Sequence, residues 1–311
     1  MNTSGTPLPT RTTRIGFHFY PDTLHYRDSD LARWLPEWNE LGVSWLVLRS
    51  ENRRAIPESF INGLLQAGIE PIVQVHQPLT AAADLKSLST LLEAYARWGV
   101  RAVQLFDLPN ARASWANGQW AQQDLVERFL DRALPLTNLA LKLGLQPLFP
   151  ILEPGGSYWD TAFLRAGLVS LERRKQTAVL QTLVLSAWAR TGSRSLNWGA
   201  GGPRRWPESR AYSTPKGSED QRGFRIFDWY AAVANDLLGR SVPLILFGAA
   251  ASSSHLYAGE HSETALNIAR LLAGEVVPDP GNPAAVLEPV PTQVLACNFW
   301  QLAGGSDAWY P

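Results

Sequence analysis

The feature that most constrains this chain is the regular exchange of short apolar runs with helix-length segments. Eight runs of strand length recur, at about residues 15–20, 44–48, 69–76, 100–107, 146–152, 178–187, 242–247 and 293–300. Seven helical segments lie between them, at about 30–41, 57–67, 84–98, 122–143, 160–172, 224–238 and 261–273. In the third helical segment, Leu88, Leu91, Leu92, Tyr95 and Trp98 fall on one face at the 3–4 spacing of an amphipathic helix. Gly42, Gly68, Gly99, Gly144 and Gly239 follow the last periodic residues, as expected where helices stop. Pro135 is expected to kink the fourth helix. Strand and helix in strict exchange define βαβ units and a parallel sheet.

Eight such units predict an α/β fold, a (β/α)8 TIM barrel, as a single domain over residues 15–311. A doubly wound sheet would carry a glycine-rich phosphate loop after its first strand, and Phe17-His18-Phe19-Tyr20-Pro21-Asp22 is not one. The last helix is expected to be short or absent, because only eleven residues follow Trp300. A long loop is expected after strand 6, at 188–222, rich in Gly, Arg, Ser, Pro and Trp. The polar residues 1–14 read as a flexible N-terminal tail.

Lys+Arg and Asp+Glu both number 28, so the chain has no net charge. That argues against nucleic acid or an anionic membrane as the main partner. No apolar run is long enough to span a bilayer, and the amino terminus lacks a signal-type stretch, so a cytoplasmic location is the default expectation. Cys297 is the single cysteine, so no intrachain disulfide can form. No His, Cys or carboxylate set has metal-ligand spacing, and neither a metal nor a cofactor is expected. Ser254 and His255 are adjacent but lack a nucleophile elbow. The 13 tryptophans can be core, or platforms for the apolar face of a sugar.

Residues 100–110 carry the chemistry of the chain. An apolar strand breaks at Pro109-Asn110, which places Asp107, Leu108 and Asn110 at its carboxyl end, where a parallel barrel keeps its site. The stretch resembles the strand-four tip of the retaining (β/α)8 glycoside hydrolases, the two-glutamate clan, where Asn-Glu-Pro is common. Further landmarks are Gly16-Phe17-His18, Gly42-Val43-Ser44-Trp45, Gly68-Ile69-Glu70-Pro71, Pro154-Gly155-Gly156-Ser157-Tyr158-Trp159-Asp160 and Trp300, spread over residues 14–311. The resemblance implies a glutamate acid/base at strand four and a glutamate nucleophile at strand seven, about 5–5.5 Å apart. Leu108 and Gly248 stand at those positions, so the chain is similar to a degenerate member lacking both glutamates.

Asp107 and Glu153, both at strand ends, are the candidates for relocated catalytic carboxylates. By strand alternation Asp107 belongs to the opposite face from Leu108. The resemblance makes His18, His76, Asn110, Trp188 and Trp300 candidates for substrate binding. Three readings follow. One is an inactive barrel that binds carbohydrate or a protein partner at its C-terminal face. Another is an active hydrolase using Asp107 and Glu153. The third is an assembly subunit using 188–222 as an interface, since aromatic residues and Arg are enriched in interface cores. The oligomeric state is open.

Overall fold

A computed structural model describes residues 8–11, 13–250, 258–300 and 302. Eight parallel strands form one sheet: β1 (Ile15–His18), β2 (Trp45–Ser50), β3 (Glu70–Val75), β4 (Ala102–Gln104), β5 (Gln146–Pro147), β6 (Leu185–Trp188), β7 (Leu244–Ala249) and β8 (Val294–Phe299). Their order is β5-β4-β3-β2-β1-β8-β7-β6. The two end strands, β5 and β6, share no ladder, but the Phe149 N–H donates to the Val184 carbonyl at 2.9 Å and bridges the gap. The fold is the expected α/β TIM barrel.

The interior confirms that the sheet curls round on itself. Trp45 and Val47 from β2, Ile72 from β3, Ala102 from β4, Ile245 and Phe247 from β7 and Ala296 from β8 form one buried cluster with Leu148 and Ile151. Side chains from opposite ends of the sheet order meet only if the sheet closes. A second, larger cluster lies between the strands and the helices. Each strand is therefore covered on both faces, which is why the strands read as continuous apolar runs.

Seven main helices connect the strands: α1 (Asp28–Glu40), α2 (Glu58–Gln66), α3 (Leu85–Arg97), α4 (Leu125–Lys142), α5 (Asp160–Arg173), α6 (Ile226–Leu238) and α7 (Ala258–Leu272). The stripe predicted on α3 is its buried face, with Leu88, Leu91, Leu92 and Tyr95 inward. Pro135 sits inside α4, which runs unbroken from Leu125 to Lys142.

Three expectations change. The ladder of β5 is two residues long rather than seven, because Pro147 and Pro150 have no N–H to donate; the line resumes only where Ile151 bridges Asp107. The first half of the sixth apolar run is a short helix, Thr177–Gln181, ahead of β6. The proline-rich connection before β8 contains an antiparallel hairpin, Pro278–Asp279 with Asn282–Val286.

The tail also needs correcting. Leu8 packs on the barrel interior. Arg11 bonds the fully buried Glu70 at 2.6 Å, and Arg101 lies 3.5 Å from the same carboxylate. Arg14 donates to the carbonyls of Leu272, Val290 and Pro291. Residues 8–11, 13 and 14 are the floor of the barrel, not a free tail.

Tight packing inside the ring sets the first prediction. A Cβ on Gly16 would lie 2.3 Å from Asn298 Oδ1 and 2.8 Å from Trp45 Cβ. Gly16→Ala is expected to lower stability by roughly 1–3 kcal/mol in chemical denaturation.

Candidate functional site at the barrel mouth

The carboxyl ends of the strands surround two connected spaces. A groove of about 840 Å³ lies over β2, β3 and β4, lined among others by Arg49, Gln74, His76, Gln77, Gln104 and Asp107. An inner pocket of about 190 Å³ is lined by His18, Tyr20, Arg49, Gln74, Asp107, Trp188 and Trp300. Strand alternation places most of these side chains: Val47, Ile72 and Ala102 face inward, so Arg49, Gln74 and Gln104 two positions later do too.

Asp107 reaches the mouth by a break in that alternation. Leu105 and Phe106 both face outward, into a small apolar slot against Phe129 of α4. Gln104 Nε2 holds the Phe106 carbonyl at 2.7 Å across the break. The next residue, Asp107, thus turns back inside, contrary to the opposite-face expectation. Leu108 follows in the left-handed region at φ 47° and packs on the inner cluster. Burial pushes the Asp107 carboxyl up to about 6, against the pull of Arg49 and Arg190. Its Oδ1 is buried with no hydrogen-bond partner among the described residues.

The strand-seven position is occupied in another way. Gly248 has φ 63°, and a Cβ there would lie 2.8 Å from Trp188 Nε1. Its N–H donates to His18 Nε2 at 3.2 Å. An acceptor Nε2 means that His18 is neutral with its proton on Nδ1. Burial holds it so, with Arg49 and Arg190 adding to the effect, and its pKa falls to about 3. The His18 ring lies 4.9 Å from Trp300 and 6.4 Å from Trp188. The indole of Trp188 fills the room that a nucleophile side chain at 248 would need.

The remaining candidates separate. His76 lines the outer groove. Glu153 is exposed and lines neither space. Asn110 is fully buried: Nδ2 donates to the Glu153 and Tyr158 carbonyls at 2.8 and 2.9 Å, and Oδ1 accepts from the Glu153 N–H at 2.8 Å. It staples the β4 loop to the β5 loop, and its amide is engaged within the protein. Ser254 and His255 lie outside the described residues.

The long loop after β6 is a folded excursion. Trp198 Nε1 donates to the buried Asp220, Trp206 Nε1 to the Ala200 carbonyl, and Trp229 of α6 to the Gly199 carbonyl. Burial pushes the Asp220 carboxyl up, but hydrogen bonds from Arg222, Thr214 and Trp198 outweigh it and hold its pKa at about 2. Most of the tryptophans are core or pins. Trp34, Trp38 and Trp45 are fully buried, and Trp115 donates to the Pro109 carbonyl at 2.8 Å. Trp188 and Trp300 line the pocket.

Sequence reading passed over Arg49, Gln74, Gln104 and Arg190. A signal was there: Gln74 interrupts the apolar run Pro71–Val75, Gln104 is the one polar residue of β4, and Arg49 follows a run of four apolar residues. Such a position in a strand buried on both faces points at the mouth or the floor.

The fold is similar to that of solved (β/α)8-barrel glycoside hydrolases. A family 39 glycoside hydrolase from Bacteroides cellulosilyticus WH2 superposes with a TM-score of 0.54 at 11% identity, over 93% of this chain and 56% of its own. The family 39 enzyme from Xanthomonas axonopodis pv. citri gives 0.54 at 12%, over 96% and 60%. A family 39 β-xylosidase from Caulobacter crescentus gives 0.50 at 12%, over 96% and 64%. The chain spans less than two thirds of the length of each, and the likeness is one of fold. No family model and no curated protein matches its sequence. Among the described residues no cluster could hold a metal ion, and no helix is long and apolar enough to cross a membrane.

The raised Asp107 carboxyl makes a pH prediction. It titrates at about 6 in the folded chain against an ordinary 3.8, so the folded state holds the extra proton between those values. Its contribution to stability therefore falls as pH rises through that window. Relative to the parent, Asp107→Asn should gain stability from about pH 4 to 6 and hold the gain above it, as read by denaturation at each pH.

Proposed function

We propose that this chain is a glycoside-hydrolase-like barrel that binds carbohydrate at its C-terminal mouth without hydrolysing it by the two-glutamate route. The observation that carries this reading is Trp188 packed over Gly248. With His18 on the Gly248 N–H and Leu108 at strand four, neither carboxyl position has a proton donor or a nucleophile. Binding is supported by what surrounds that lock. Gln77 Oε1, Gln104 Oε1 and Asp107 Oδ1 are buried acceptors with no partner among the described residues, and all three belong to residues lining the groove. Buried acceptors need donors, and sugar hydroxyls supply them. The Trp188 and Trp300 rings, 5.7 Å apart, offer the apolar faces on which a pyranose packs.

A second reading is an active hydrolase with relocated carboxylates. Asp107 favours it, since a carboxyl titrating near 6 can donate a proton at neutral pH. The exposed Glu153 counts against it as the second group.

Calorimetric titration with oligosaccharides, together with assays on aryl glycosides, separates the two. The expected outcome is binding without turnover, weakened about tenfold by Trp300→Ala through loss of stacking. Turnover that disappears in Asp107→Asn would establish the second reading instead.

A further inference from the structure

We infer that the carbohydrate taken by this mouth carries an anionic group, a carboxylate or a sulfate, seated between Arg49, Arg190 and the indole N–H of Trp188. This rests on the carbohydrate reading above and narrows it. Arg49 lines both the groove and the inner pocket. One of its guanidinium nitrogens donates to the Pro21 carbonyl at 2.5 Å, which fixes the group in place and leaves other N–H donors. Arg190 lies over the Trp188 ring with Cζ 4.5 Å from its centroid. Neither arginine forms an ion pair among the described residues, although ten other arginines and His25 do; Glu153 and Asp107 act on Arg190 only across space.

Trp188 supplies an independent sign. The side chain is nine-tenths buried, it lines the inner pocket, and its Nε1–H has no acceptor among the described residues. An orphaned N–H beside two unpaired guanidinium groups asks for an oxygen acceptor with negative charge. Asp107 is the single carboxylate lining that inner pocket among the described residues, and it does not saturate the two cations. In the outer groove, Asp22 is taken by His25 at 2.8 Å and Glu51 by the Thr23 hydroxyl at 2.9 Å.

The excursion after β6 is basic as well. The chain has no net charge, yet 188–222 holds seven basic and three acidic residues. Arg194, Arg205 and Arg222 are ion-paired, while Arg204, Arg210 and Lys216 are exposed and form no ion pair among the described residues. The Arg210 turn is laid against the β5 loop by Tyr212, whose hydroxyl accepts from the Trp159 N–H at 2.9 Å.

A glycan array carrying neutral, uronate-bearing and sulfated glycans, followed by titration of the retained classes at low and high salt, tests this. Retention of acidic over neutral glycans, weakened by salt, is expected. Arg49→Gln and Arg190→Gln should each reduce acidic-glycan affinity about tenfold, with unchanged circular dichroism; the exposed Arg190 keeps the test open should the Arg49 variant fold poorly. Retention of uronates alone identifies a carboxylate, and retention of sulfated glycans as well identifies a general anion seat. Neutral glycans bound as well as acidic ones, or acidic binding indifferent to both substitutions, would overturn the inference and leave the carbohydrate reading standing. No glycan retained at all would overturn both.

Discussion

The closed ring sets the terms for everything else. Its interior is fixed in volume, and Trp45 takes a large part of it, so its neighbours must be small: Gly16 beside it, with Ala102 and Ala296 elsewhere in the ring. Close packing of this kind leaves no slack for an added methyl group. It also fixes the pointing direction of each strand, and with it the side chains that reach the top. Arg49, Gln74 and Gln104 are at the mouth because Val47, Ile72 and Ala102 are in the ring below them.

The same economy of space holds at the top of the ring. One indole occupies the room a strand-seven side chain would use, and one imidazole holds the backbone beneath it. The rings of His18, Trp188 and Trp300 meet there in tilted contacts, their centroids 4.9, 5.7 and 6.4 Å apart. The mouth gathers its polar groups over β2 to β4 and its aromatic rings over β1, β6 and β8.

Much of this was legible from the chain alone. Eight strands and seven helices announce themselves by run length and by glycines at helix ends, and Leu108 and Gly248 stand out against the two-glutamate pattern. What escaped had local causes. The turn of Asp107 into the barrel depends on Phe106 packing against Phe129, a contact across 23 positions that alternation cannot foresee. The shortening of β5 was visible in Pro147 and Pro150 but was outweighed by the apolar character of the run. The amide of Asn110, a candidate through the family resemblance, joins two loops, a use that depends on where residue 153 lies in space.

The pair Asp220 and Asp107 gives the molecule an uneven response to acid. The carboxylate that fastens the excursion after β6 keeps its charge down to about pH 2, whereas the one in the mouth begins to lose its own at about 6. Mild acidification therefore makes the entrance more positive while the scaffolding around it stays fastened.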